Sequence, residues 1–142
     1  MKKLFYILAL LIGFYGSLQA QKAQLSKEEF RKVQEKFITE KANLTAKEAK
    51  QFFPLYFELQ DKKTSLNKEA WHKIRQGKQE NVSEEEYNEI VEDIVQTRIQ
   101  IDQLDLDYVR KYKKFLTAKK IYEIQRAEMK FHRELLKPKK KK

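Results

Sequence analysis

Few side chains in this 142-residue chain have the types and spacing for chemistry, and they are scattered. His72 and His132 are its only histidines, and it has no cysteine. Neither histidine has a second histidine or a cysteine at the spacing a zinc site uses, and although Glu69 stands three before His72 and Glu128 four before His132, both read as surface histidines and no metal is expected. Without cysteine there is no disulfide, thiolate ligand or thiol nucleophile. Asp102, Asp105 and Asp107 could suggest a hard-cation cluster. Helical spacing puts only Asp102 and Asp105 on one face, however, and no glycine shapes a loop there, so a solvated helix face is expected. Tyr108-Val109-Arg110-Lys111-Tyr112-Lys113-Lys114 interleaves bases with aromatics, a pattern that can grip single-stranded nucleic acid. Phe52, Phe53, Leu55, Tyr56 and Phe57 encircle a helix, which marks either burial on several sides or a binding surface. Only three glycines occur, two of them (Gly13 and Gly16) in the apolar start, so the chain lacks the glycines of a phosphate-cradling loop. No nucleophile–base–orienter set stands out, and the chain reads as a non-enzyme without a cofactor.

The elements that must position these residues are helices. Charged residues are 37% of the chain and prolines number two, a composition of long helices with little turn punctuation. Four starts carry a capping signature. Ser26 with Glu29, Thr45 with Glu48, and Ser83 with Glu86 form capping boxes, the first and third with apolar staples at Leu25/Phe30 and Val82/Tyr87. Thr117 repeats the cap, but Lys120 stands where the acid should be, so this start is weaker or only a bend. Apolar steps of three and four follow each start. They run through Phe30, Val33, Phe37 and Ile38, and then through Ala49, Phe52, Tyr56, Leu59, Leu66, Ala70 and Ile74, with Lys63 the one polar interruption. A third set takes in Tyr87, Ile90, Ile94, Ile101, Leu104, Tyr108 and Phe115, with Val91, Val95 and Val109 widening the stripe, and Ile121, Ile124, Phe131 and Leu135 mark the last helix. Gly77 should end the second helix, with a turn from Gln76 to Val82. Pro54 predicts a kink near Lys50 to Pro54 or a non-helical start. The third helix, Glu84 to about Phe115, should be the longest. The predicted fold is all-α with four amphipathic helices.

The chain starts with an address. Met1-Lys2-Lys3 is a positive region, Leu4 to Phe14 is apolar, and Tyr15 to Ala20 is small and polar, the layout of a secretory signal peptide cleaved after Ala20. The expected organisation is a signal peptide over 1–20, one helical domain over 21–136 and a basic tail over 137–142. The net charge of +10 falls when Lys2 and Lys3 leave, and five further lysines sit in the tail, so the body is mildly basic. Export to the periplasm makes nucleic acid an improbable partner despite the Tyr108–Lys114 pattern, and favours membrane surfaces or acidic proteins. The tail reads as a solvated end, or as a weak, salt-sensitive contact with anionic membrane.

Leu44-Thr45-Ala46-Lys47-Glu48 and Leu116-Thr117-Ala118-Lys119-Lys120 are two copies of one pattern, each at a helix start in a short exported helical chain. This resembles the Spy/CpxP family of periplasmic stress proteins, whose mark is a pair of LTxxQ motifs and whose relatives include periplasmic metal sensors and sensors of extracytoplasmic-function sigma factors. The stretch Glu48 to Tyr56 is similar to the version common in Bacteroidetes-type chains. The likeness covers roughly Leu25 to Leu136. The position of the motif glutamine holds Glu48 in one copy and Lys120 in the other. The resemblance implies a thin, cradle-shaped four-helix fold, built as an antiparallel homodimer, that binds unfolded clients without ATP.

The resulting expectation is an ATP-independent holdase for unfolded or misfolded envelope proteins. Charge would capture the client and apolar contact would hold it. The expected client-binding residues are Phe52, Phe53, Tyr56, Leu59, Tyr108, Tyr112 and Phe115, with Lys62, Lys63, Arg110 and Lys114 supplying charge. Leu44, Thr45, Glu48, Leu116, Thr117 and Lys120 are expected to be structural. The alternative is a signalling accessory that binds a membrane sensor or an anti-sigma factor. A trimeric Skp-like holdase would need a β-rich body, for which no segment alternates long enough.

Overall fold

The computed structural model describes residues 25–137. The signal-like leader and the lysines at 139–142 lie outside the described residues. Four α-helices make up the described chain: α1 (Lys27–Lys41), α2 (Ala46–Gln76), α3 (Glu84–Tyr112) and α4 (Ala118–Leu136). Among the described residues there is no strand, so the all-α class predicted from the spacing holds. The chain divides inside α1 into two compact units, Met1–Gln34 and Glu35–Lys142.

In the first unit, the Glu29 amide donates to Ser26 Oγ at 3.2 Å, and the Ser26 amide donates to Glu29 Oε2 at 2.8 Å. This closes the capping box at the start of α1, satisfying two backbone donors that have no intrahelical acceptor.

The second unit holds the rest. Thr45 with Glu48 and Ser83 with Glu86 close the same reciprocal box at the starts of α2 and α3. Thr117 caps α4 by accepting from the Lys120 amide at 3.1 Å, so α4 is a separate helix and not a bend in α3. α3 ends at Tyr112, three residues short of Phe115, where the Leu116 amide turns back to the Tyr112 carbonyl at 2.8 Å.

Two expectations are corrected. α2, with 31 residues, is longer than α3, with 29. α2 also runs unbroken through Pro54 from its cap at Thr45, with no non-helical start. A mid-helix proline costs about 3 kcal/mol. The buried ring of Phe52, Phe53 and Tyr56 on either side outweighs that, since burying each such side chain contributes about 1.5–3 kcal/mol. Pro54 itself faces solvent.

Gly77 closes α2 with an ordinary right-handed φ of −65°. Close approach explains the glycine better than backbone freedom does: a Cβ there would meet Ile90 Cδ1 at 3.3 Å. The left-handed residue of this turn is Asn81, at φ 64°. Asn43, at φ 48°, plays the equivalent part after α1, where the Leu44 amide reaches back to the Thr39 carbonyl at 3.0 Å.

α2 and α3 make the principal helix pairing. Lys63 meets Asp105 at 2.8 Å, Lys73 meets Asp93, and the Tyr87 hydroxyl donates to the Gly77 carbonyl at 3.2 Å, so rising numbers on α2 face falling numbers on α3. The polar interruption at Lys63 is thereby answered by an acid on the facing helix. Core side chains concentrate where α4 and the end of α1 add further layers. Ile38, Leu44, Phe52, Phe53, Tyr56, Leu59, Tyr108, Tyr112, Leu116, Ile121 and Ile124 are buried in one cluster. Beyond Leu59 on α2 and before Tyr108 on α3, no side chain is fully buried.

Candidate functional site

Six of the seven aromatic and aliphatic residues expected to hold clients lie inside the fold. Phe52, Phe53, Tyr56, Leu59, Tyr108 and Tyr112 are each at most 6% exposed, and Phe115 is half-buried against the same cluster. The helix that is apolar all round is buried on several sides by its own chain. Phe52 packs on Tyr112 with ring centroids 4.8 Å apart and on Phe53 at 5.1 Å. The Tyr56 hydroxyl donates to Glu128 Oε1 of α4 at 3.0 Å. As folded, these side chains join the helices and offer no surface.

The expected capture charges are mostly engaged. Lys63 is bound by both carboxylate oxygens of Asp105, at 2.8 and 2.9 Å. Lys62 pairs with Glu58 at 3.4 Å and lies over the Tyr108 ring at 5.4 Å. The Tyr108 hydroxyl, then Lys62, hold the Glu58 carboxyl below its usual range, and the same hydroxyl with Glu58 raises Lys62. That hydroxyl is buried and closes no hydrogen bond of good geometry with either. Lys111 covers the other approach to Tyr108, 4.1 Å from its centroid. Arg110 stands 3.6 Å from Asp107 and is largely exposed, and Lys114 is exposed. The Tyr108–Lys114 alternation therefore resolves into tyrosines that face inward, Lys111 over the Tyr108 ring, and Arg110, Lys113 and Lys114 exposed.

A cavity of about 220 Å³ opens between α2, α3 and α4, with Phe52, Leu59 and Ile121 on its apolar side. Its charged wall is already paired internally, Lys63 with Asp105 and Glu128 with Tyr56. Tyr112 also lines it, and burial, then the nearby Glu128 carboxylate, push its phenol well above the ordinary range. This is a packing gap in which Lys63 offsets Asp105 and the Glu128 carboxylate is held by the Tyr56 hydroxyl. His72 lies 3.3 Å from Gln76, and His132 lies 3.8 Å from Glu128. Among the described residues no three metal-ligating side chains gather.

The two motif copies, distant in sequence, meet in space. Leu44 and Leu116 are both buried in the one cluster. The Lys120 ammonium, at the motif's fifth position, donates to the carbonyls of Ala42 at 3.0 Å and Asn43 at 2.9 Å. Those carbonyls lie at the end of α1, immediately before the first motif copy. Cations at a helix C-terminus satisfy orphan carbonyls and the negative end of the dipole. In the first copy Glu48 serves the local cap instead, accepting from the Thr45 amide at 2.9 Å.

The free apolar surface lies elsewhere. Val91, Val95 and Ile99 recur at steps of four along α3, and Leu106 follows seven residues on. These four and Trp71 of α2 are between 45% and 61% exposed. Sequence reasoning took Val91 and Val95 as widening the packing stripe. They form a second line, separate from Ile90, Ile94, Ile101 and Leu104, which are half-buried toward α2. The signal was present in the four-residue step Val91–Val95–Ile99, offset by one from the packed line. No family model, curated protein or solved structure matches the chain.

Proposed function

We propose that this chain is a non-catalytic, ATP-independent holdase of the periplasm, of the Spy/CpxP kind, that binds unfolded or misfolded envelope proteins. The observation that carries this reading is the exposed line of Val91, Val95, Ile99 and Leu106 on α3, with Trp71 on α2. Single exposed apolar residues are ordinary, but a line of them along one helix is a face that solvation does not favour. Among the described helices its carrier pairs principally with α2, which leaves this face available for loose, sequence-tolerant contact with apolar segments. Arg98 and Lys68 are exposed cations on the same two helices, and a basic chain attracts acidic stretches before apolar contact forms. In this reading Phe52, Phe53, Tyr56, Leu59, Tyr108 and Tyr112 hold the scaffold, and the paired helices form a thin helical-hairpin cradle used as an antiparallel homodimer.

The test is light scattering of an unrelated aggregating protein without ATP, with the fragment Gln21 to Lys142 added. Suppression near equimolar ratio is expected, and Val95→Ser with Ile99→Ser should weaken it several-fold while helicity and melting temperature stay unchanged. A folded sample that protects no client, but retains one defined membrane sensor or anti-sigma protein, would replace the holdase with a signalling accessory.

A further inference from the structure

The outer face of α4 has a pattern that the fold does not use. Tyr122, Met129 and Leu136 stand one heptad apart and are 58%, 59% and 84% exposed. Seven residues fall about 20° short of two full turns, so the three side chains form one slowly drifting line. Lys119, Arg126 and Arg133 form a second heptad line beside it, and Lys130 and Lys137 form a third, all exposed. Of the acids on α4, only Glu123, seven residues before Lys130, falls on one of these lines. The acids of α4 have partners within the chain: Glu128 accepts from Tyr56, Glu123 lies 3.7 Å from Lys120, and Glu134 pairs on the surface with Lys137 at 2.8 Å. Arg126 lies 6.0 Å from the Tyr122 ring centroid. The opposite face, with Ile121, Ile124, Ala127 and Phe131, is buried in the core. The helix is thus apolar on two sides, and only one side is covered.

We infer that this outer face docks on an anionic lipid surface. Charge complementarity argues for that occupant: five cations flank the apolar line on one side, and in sequence Lys139 to Lys142 follow directly. A groove of about 480 Å³ between Lys41 and α4 adds a place for a phosphate-bearing headgroup, with Lys41, Arg126, Lys130, Arg133 and Lys137 on its wall against Glu123 and Glu134. A soluble polyanion would use the cations alone. The Tyr122–Met129–Leu136 line requires a partner with an apolar layer beneath its charges, and a tyrosine beside cations suits the headgroup boundary. No described helix is long and apolar enough to cross a membrane, so the contact is with the surface. Three shallow apolar side chains and a set of cations give reversible, salt-sensitive binding.

The chain has no cysteine, so one introduced thiol can be labelled alone. The full chain carrying Met129→Cys with a polarity-sensitive fluorophore is mixed with phosphatidylcholine vesicles, with vesicles that also contain phosphatidylglycerol, and with soluble polyphosphate. A Gln79→Cys label at the α2–α3 turn is the control, because insertion of the apolar leader alone would not place residue 129 in lipid. The expected result is a blue shift at 129 on the anionic vesicles only, reversed by high salt. Arg126→Gln, Lys130→Gln and Arg133→Gln together should lower vesicle partitioning at least about tenfold without loss of helicity. No shift at 129, an equal shift on phosphatidylcholine, an equal response at 79, or the same shift with polyphosphate would each overturn the assignment.

Discussion

A residue here acts according to what packs on it more than according to its type. Phe52 is 1% exposed and touches Phe53 and Tyr56 on its own helix and Tyr112 on α3, so it ties α2 to α3. Phe52→Ala should lower unfolding free energy by about 3–5 kcal/mol, the range for truncating a buried aromatic, as read from a urea titration. A similar change at exposed Val95 should leave the urea midpoint in place. Tyr112 tests the same burial by pH. Its ordinary pKa of 10.0 is raised in the folded chain, so its contribution to stability is complete below pH 10 and fades as pH climbs toward the folded value. Ultraviolet titration should show Tyr112 ionising only well above that ordinary value or on unfolding. The sequence marks Tyr112 as a candidate binding aromatic, and nothing local sets its burial apart from that of exposed Tyr122. Which one faces in depends on where α4 lies.

At the scale of elements, all four helix starts were legible, because a cap is decided within four residues. Ser26, Thr45, Ser83 and Thr117 each accept from the amide three residues on. The Glu86 carboxyl is held below its usual range, first by the Ser83 amide that donates to it and then by the nearby Ser83 hydroxyl. The stabilising effect of that box is therefore present above the ordinary carboxylate pKa and lost as pH falls through the lowered one. Lys120 separates local from tertiary reasoning. Cap rules alone favour Lys120→Glu, which would complete the α4 box. The structure reverses that: the ammonium bonds two carbonyls at the end of α1, and a carboxylate there would face them with no donor. Lys120→Glu should lower the melting temperature, with a loss of about 1–3 kcal/mol. A rise would show that the local cap outweighs the tie between the two motif copies.

Across the second unit, stability should fall from the end where α4 packs to the α2–α3 turn. Every fully buried side chain of α2 lies between Phe52 and Leu59, and those of α3 are Tyr108 and Tyr112. The distal parts are joined by half-buried apolar contacts and by pairs such as Lys73–Asp93, which at this exposure contribute about 0–1 kcal/mol. Hydrogen exchange should show amides of residues 66–76 and 84–99 opening at least about tenfold more readily than those of 49–60 and 104–112. Uniform protection along both helices would mean that the distal arm is stabilised by something other than its own packing. A less stable arm also suits the proposed holdase surface, since Val91, Val95 and Ile99 lie in that segment and adaptable contact needs a helix pair that can yield.

The sequence by itself determined the helical class, the position of every described helix start and the turn near Gly77. These follow from capping atoms and apolar periods that act over a few residues. It also showed which side chains form the apolar faces, including the even-handed ring at Phe52 to Phe57. Only the tertiary structure decided which faces are covered. α4 folds back on the aromatic ring and turns expected surface residues into core, and it leaves Val91, Val95 and Ile99 exposed on α3 and Tyr122, Met129 and Leu136 on its own outer side. The same return brings Lys120 to the carbonyls of Ala42 and Asn43, a bond between residues 78 and 77 positions apart. Periodicity reports that a face is apolar. Whether another helix reaches it depends on distant chain, and no local window of sequence carries that information.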